Sequence, residues 1–166
     1  MPYGLAHIKP GFVGFAASAC GLTRLTLPQD SVEKALLDVA GGAPEGDRSD
    51  EAFVPLATML DRYFSGDPVD FSDHRLDLQG RTAFQRWVLE EVLSIPRGEV
   101  RSYGEVAARV GSPGAARAVG AVMAANPVCI VIPCHRVVAS DGGLGGFGGG
   151  LDMKRRMLGA EQDRPS

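Results

Sequence analysis

The run Ile132-Pro133-Cys134-His135-Arg136-Val137-Val138 sets a thiol beside an imidazole, directly after an apolar stretch. A thiol attacks only as its thiolate. A neighbouring imidazole can take the proton, and a nearby cation or helix N-terminus can lower the thiol pKa, so Cys134 and His135 are the residue types of a nucleophile and its base. Successive side chains on a strand point to opposite faces, so the two cooperate only if the chain turns there or a water relays the proton, and Pro133 favours a turn. Taken bare, such a pair is more often structural than catalytic. Metal binding is the competing chemistry, since Cys129, Cys134 and His135 carry ligand atoms. A closed zinc site needs four, however, and Cys20, His7 and His74 stand in no Cys-x2-Cys pair, so no metal is expected.

The second unusual stretch is DGGLGGFGGG at 141–150, with seven glycines in ten residues and a formal G-x-G-x-x-G at Gly143, Gly145 and Gly148. Only 16 residues follow Gly150, too few to complete a βαβ unit with its acidic ribose ligand, and no GK[ST] closes a phosphate loop. No nucleotide cofactor is expected. What remains is a loop whose backbone can approach a flat ligand, with Phe147 as its aromatic surface; a plain surface loop fits the composition equally well.

Charge divides along the chain. The whole carries −3, but residues 1–79 carry −6 and residues 80–166 carry +3, and 14 of the 17 basic residues are arginine. Arginine binds phosphate bidentately and stacks on flat rings, so the second half is the half suited to an anionic partner. No run approaches the ~20 apolar residues that cross a bilayer, and the start MPYGLAHIKPGF has no secretory pattern, so a cytoplasmic protein is expected. Three cysteines with no framework spacing are expected to be reduced thiols.

The elements that must hold these residues follow from periodicity. Phe12–Ala19 and Leu22–Leu27 read as a hairpin, Asp30 and Glu33 as a capping box for a helix through Ala40, and 41–50 as a loop. Phe53, Leu56, Ala57, Leu60, Tyr63 and Phe64 predict a helix burying one stripe against the hairpin, with Pro55 in its first turn; 67–80 is an extended connector. Thr82 and Gln85 form a capping box for a helix whose Phe84, Trp87, Val88, Val92 and Ile95 share a face until Pro96 and Gly98 stop it. A helix over Tyr103–Val110, the turn GSPG and a helix over Ala115–Ala125 give the outline of a helix-turn-helix. In the second helix Ala115, Ala118, Val119 and Val122 make a core stripe, and Arg117, Ala121 and Ala124 another face. Val128–Ile132 reads as a buried strand, and a helix begins at Leu151.

The order of these signals is specific where each alone is not. Ser102-Tyr103-Gly104-Glu105, Ala116-Arg117-Ala118-Val119-Gly120, Asn126-Pro127, Pro133-Cys134-His135-Arg136-Val137, Gly148-Gly149-Gly150-Leu151 and Glu161 together resemble the O6-alkylguanine-DNA alkyltransferases, the suicide DNA-repair methyltransferases. The resemblance covers about residues 81–161; before it, only the hairpin-and-helix pattern and Leu25-Thr26-Leu27-Pro28 are similar.

The resemblance implies an α/β protein of two small domains: an RNase H-like N-terminal domain over 1–79, and a mainly helical domain over 80–166 carrying the helix-turn-helix and the active-site cysteine. It implies a monomer that binds the minor groove of double-stranded DNA containing O6-alkylguanine, flips the base and takes the alkyl group once per molecule, with no cofactor and no membrane. By the same resemblance Cys134 is the alkyl acceptor, His135 the base acting through a water, Glu161 the group orienting that histidine, and Asn126 the brace of the active-site turn. Arg117 is the arginine that fills the gap in the stack, with Ala118 and Ala121 against the groove. Tyr103 donates to the guanine ring nitrogen, the Val137 carbonyl accepts from the exocyclic amine, Phe147 walls the pocket, and Gly148 offers its N–H to O6. The chain departs from the family at Phe147 and Gly148, often Tyr and Ser, and at Ala124, a basic residue in some members. A lesion sensor without transfer and a turning-over cysteine hydrolase are the rival readings. Cys134 counts against the first, and the number of products per protein separates the second.

Overall fold

The computed structural model describes residues 2–40, 46–146 and 150–162. The chain forms two compact units: one runs to Asp77 and includes Pro127–Cys129, and the other comprises Leu78–Asn126 and Ile130 onward. No helix among the described residues is long and apolar enough to cross a membrane.

The first unit is a three-stranded antiparallel sheet, ordered β1 (Tyr3–Ile8), β2 (Gly11–Ser18), β3 (Gly21–Leu25), with two helices. The expected hairpin is β2 and β3, with a bulge between Ala16 and Ala17. Val13 and Phe15 of β2 are fully buried on one face, and Gly14 between them is buried on the other, where a Cβ would meet Val39 and the Ala35 carbonyl. β1 was not expected; Gly4 and Ala6 weaken its β-signal, and it is specified by tertiary contacts such as the Leu5 N–H donating to Asp50 Oδ1 at 2.9 Å. Helix α1 (Val32–Ala40) starts one residue later than expected. Ser31 Oγ, not Asp30, accepts the Lys34 N–H, and Asp30 instead pairs with the Lys34 ammonium.

A 3-10 turn over Asp50–Phe53 leads into α2 (Val54–Phe64), with Pro55 in its first turn, and Leu56, Leu60, Tyr63 and Phe64 buried as expected. Phe53 stacks on Phe15 with ring centroids 5.1 Å apart, and α2 packs on β1. Each such side chain contributes about 1.5–3 kcal/mol on leaving water. The loop expected over 41–50 falls partly outside the described residues. The connector runs beside β3, where the Leu22 N–H donates to the Arg75 carbonyl at 2.8 Å.

In the second unit α3 (Ala83–Leu93) carries the full capping box: Thr82 accepts from the Gln85 N–H and the Gln85 side chain accepts from the Thr82 N–H. Its buried side chains are Val88, Leu89 and Val92, continued by Ile95 beyond its end. Trp87 is a correction. It is 55% exposed, because the buried stripe is centred one residue further along the helix, on Val88 and Leu89. Strand β4 (Arg101–Ser102) leads into α4 (Tyr103–Arg109), and Ser102 Oγ accepts the Glu105 N–H. Gly111 closes that helix at φ +82°. Its N–H donates to the Ala108 carbonyl and the Ser112 N–H to that of Ala107, the paired bonds that end a helix on a left-handed glycine. Helix α5 (Ala116–Ala124) follows, completing helix, turn, helix, and both helices pack on α3. Its core stripe is Val119, Val122 and Met123, while Ala118, expected inside, is exposed.

The stretch Val128–Ile132 is also a correction: it is almost wholly buried, but not as a regular strand. Within the first unit the Leu25 N–H donates to the Pro127 carbonyl and the Cys129 N–H to that of Leu25. The chain then turns at Ile130, whose φ is +73°. A β-branched residue there costs about 1–2 kcal/mol, so neither its apolar run nor its β-propensity announces the turn.

Candidate active site

That turn sets up the cysteine. Past it, Ile132 presents a carbonyl that accepts two hydrogen bonds, from the buried Asn126 Nδ2 at 2.9 Å and from the Cys134 N–H at 2.8 Å. Pro133 precedes a single 3-10 turn over Cys134–Arg136, closed by the Arg136 N–H donating to the Pro133 carbonyl at 2.9 Å. The thiol and imidazole therefore sit on a turn, as they must if they are to share a proton. Strand β5 (Val137–Val138) then pairs in parallel with β4. Cys134 is 5% exposed and His135 fully buried.

His135 meets its partner from the last helix, α6 (Leu151–Gln162): Nε2 lies 2.6 Å from Glu161 Oε1. Glu161 is also held by Arg136, whose Nε donates at 2.9 and 3.2 Å to its two oxygens and whose Nη2 donates at 2.7 Å to Oε1. Arg136 Nη1 donates to the Ile95 carbonyl at 2.7 Å, and Arg97 Nη2 to the Ala160 carbonyl at 2.8 Å, so the end of α3 is tied to the end of α6.

Burial works to raise the Glu161 carboxyl, but the hydrogen bonds and charges of His135 and Arg136 outweigh it and leave it at about 2. Burial lowers the His135 pKa below the ordinary imidazole value; Glu161 opposes this, while Arg136 and Lys154 add to it. The resting pair is thus a carboxylate and a neutral imidazole. With Nε2–H donated to the carboxylate, the buried Nδ1 is the basic nitrogen.

Lys154 was not singled out in the sequence. Fully buried on α6, it donates through Nζ to the Val137 carbonyl at 2.7 Å, to the Leu144 carbonyl, and to the Gly146 carbonyl at 3.4 Å. Tyr103, at the start of α4, donates its hydroxyl to the same Gly146 carbonyl at 3.3 Å, and the ammonium lies 5.9 Å from its ring centroid. Gly145 makes that approach possible: its φ is +70°, and a Cβ there would stand 2.9 Å from the Tyr103 ring. Burial lowers the Lys154 ammonium pKa against the pull of Cys134; burial, then Cys134, raises the Tyr103 phenol, keeping it a donor. A signal for Lys154 did exist. It is the sole lysine of residues 80–166, and with Met157 and Glu161 it makes the i, i+3, i+7 stripe that α6 buries.

The structure thus brings Cys134, His135, Glu161 and Asn126 together, with Tyr103 and the Val137 carbonyl joined through Lys154 and the glycine loop. Arg117, Ala118, Ala121 and Ala124 lie together on the exposed side of α5. Phe147 and Gly148 lie outside the described residues. Among the described residues no three His, Cys, Asp or Glu side chains group so as to hold a metal.

Residues 83–163 match the family described as 6-O-methylguanine DNA methyltransferase, DNA binding domain, and residues 1–78 its ribonuclease-like domain. The chain is 49% identical over 113 residues to the methylated-DNA–protein-cysteine methyltransferase of Mycobacterium tuberculosis, covering 68% of this chain and 67% of that protein. It is 41% identical over 121 residues to the protein of that name from Haemophilus influenzae, covering 72% and 67%. The crystal structure of Mycobacterium tuberculosis OGT in complex with DNA superposes with a TM-score of 0.82 at 37% identity, over 98% of this chain and 93% of that one. With both domains of the family matched in order and relatives of this kind along it, the chain belongs to the 6-O-methylguanine DNA methyltransferases.

Proposed function

We propose that the protein repairs DNA by moving an alkyl group from the O6 atom of guanine to the sulfur of Cys134, irreversibly and once per molecule. The observation that carries this reading is the buried Cys134–His135–Glu161 arrangement in a chain of this family. His135 Nδ1 takes the Cys134 proton through a water, Glu161 stabilises the imidazolium that forms, and the thiolate attacks the alkyl carbon. The S–C bond forms as the C–O6 bond breaks. The electron pair of the breaking bond goes to the guanine, where a proton donated by the Tyr103 hydroxyl to the ring nitrogen offsets the charge. The phenol recovers its proton from the imidazolium or from water. The product is a thioether, from which neither water nor a side chain displaces a simple alkyl group, so the site is used up.

The target atom is out of reach inside a duplex, and the base must be turned out of the stack. Helix α5 presents small side chains at Ala118 and Ala121 that fit close to a groove wall, and Arg117 has the length to occupy the vacated space. The Val137 carbonyl reads the exocyclic amine, with Phe147 walling the pocket and the Gly148 N–H meeting O6. Asn126 braces the turn. A monomer needing no cofactor suffices for this chemistry, and a cytoplasmic protein has access to DNA. Excess duplex containing O6-methylguanine tests the stoichiometry: restored guanine is expected to plateau at one per protein, and continued turnover would overturn the reading.

A further inference from the structure

Among the described residues, His135 and Arg136 both claim Glu161. Its carboxylate, 1% exposed, takes one hydrogen bond from His135 and three contacts from the guanidinium of Arg136, the residue next in sequence to that histidine. The guanidinium is itself fixed from a third direction by the Ile95 carbonyl, so its place is set by the scaffold rather than by the carboxylate alone. A buried carboxylate facing only an imidazole has a simple outcome available: the imidazole binds a proton and the two become an ion pair. Where that ion pair forms, the histidine is already protonated and takes no proton from a thiol. A permanent cation on the same carboxylate removes that outcome, because its charge is already balanced and a second positive charge beside it is repelled.

We propose that Arg136 is a positioning residue that balances the charge of Glu161 and thereby holds His135 as a neutral, Nε2-protonated imidazole, the form able to accept the Cys134 proton. Among the described residues, the charged or titratable groups around His135 include Glu161 and Lys154 from α6, and Arg136 and Cys134 on its own turn. Burial opposes its protonation most, Glu161 favours it, and Arg136 and Lys154 add to the opposition, so Arg136 offsets the one group among these three that would otherwise work against burial. Of the two cations, Arg136 is the one seen to donate to the carboxylate among the described residues. Lys154 is engaged with the Val137, Leu144 and Gly146 carbonyls, so it does not substitute for Arg136 at the acid. The proposal rests on the alkyl-transfer reading for its consequence, but its test does not.

The test is a pH titration of nitrogen-15-labelled histidine by NMR, with three histidines to assign, in the unreacted protein and in Arg136→Met and Arg136→Lys. In the wild type His135 is expected to be neutral at pH 7 with its proton on Nε2; an imidazolium there overturns the proposal even if no variant folds. In Arg136→Met the His135 midpoint is expected to rise by about one to three pH units, and the acid limb of the transfer rate with it. Arg136→Lys keeps the charge and is expected to restore the wild-type midpoint. An unshifted midpoint in Arg136→Met, or an equal shift in both variants, overturns the assignment. Absence of alkyl transfer alongside the expected titration would count against the proposed function and leave the role of Arg136 standing.

Discussion

Replacing Glu161 by glutamine removes one charge and changes little in shape, and its consequences are quantified by the geometry. The carboxyl titrates at about 2 in the folded chain against an ordinary value of 4.5, a difference worth about 3 kcal/mol. Because the folded value is the lower one, that stability is fully present above about pH 4.5 and is lost as pH falls towards 2. Breaking a buried ion pair by neutralising one partner costs about 3–5 kcal/mol, so an independent route gives a similar figure. Glu161→Gln is therefore expected to be less stable than wild type by about 3 kcal/mol at pH 7, with the gap closing on acidification, since protonated glutamate and glutamine are near-isosteres. Denaturant unfolding at a series of pH values measures this. The second consequence is kinetic. An amide does not stabilise the imidazolium as a carboxylate does, and losing one charge-assisted hydrogen bond in the transition state slows transfer roughly ten- to a hundredfold, with DNA affinity much less changed. A variant matching wild type in both its acid stability and its rate against pH would show that Glu161 is not electrostatically linked to His135, and the relay would need another anchor.

Arg117→Ala is expected to slow repair of duplex DNA by about 5- to 150-fold, the value of one stacked contact, while reaction with free O6-benzylguanine stays near wild type; equal losses on both substrates would refute the role in extrusion. Lys154→Met should slow both substrates alike, by about tenfold or more, because the ammonium holds the Val137 carbonyl and the glycine loop rather than the DNA. Unequal losses from the two second-order rates would contradict that. Cys20→Ser and Cys129→Ser are expected to keep full transfer activity when folded, measured by titration with methylated duplex.

What the sequence made legible was whatever local chemistry specifies. Thr82 and Gln85 announced the start of α3, GSPG the turn between α4 and α5, and Pro133 the bend that brings Cys134 and His135 onto one turn. The features it concealed depend on contacts distant along the chain. β1 is a strand because of Gly11–Ala16 and Asp50, Trp87 is outside because the stripe of α3 is set by α4 and α5, and nothing in the identity of Ile130 foretells a positive φ. At the site Glu161 was found through its place in a family pattern, whereas its second partner, Arg136, reaches it across 25 residues and could be seen only once α6 was in place. Lys154 was hidden by habit: a lysine on a helix reads as solvated, and here it is buried while Asp152, Arg155 and Arg156 around it are exposed.

The central claim is that the sulfur of Cys134 keeps the alkyl group. Its most direct test is the intact mass of the protein after incubation with duplex DNA containing O6-methylguanine, followed by peptide mapping. One methyl adduct per chain, located on Cys134 and absent in Cys134→Ser that still binds the DNA, is the expected result. An unmodified protein beside repaired DNA, an adduct on another residue, or an adduct formed equally by Cys134→Ser would contradict the account.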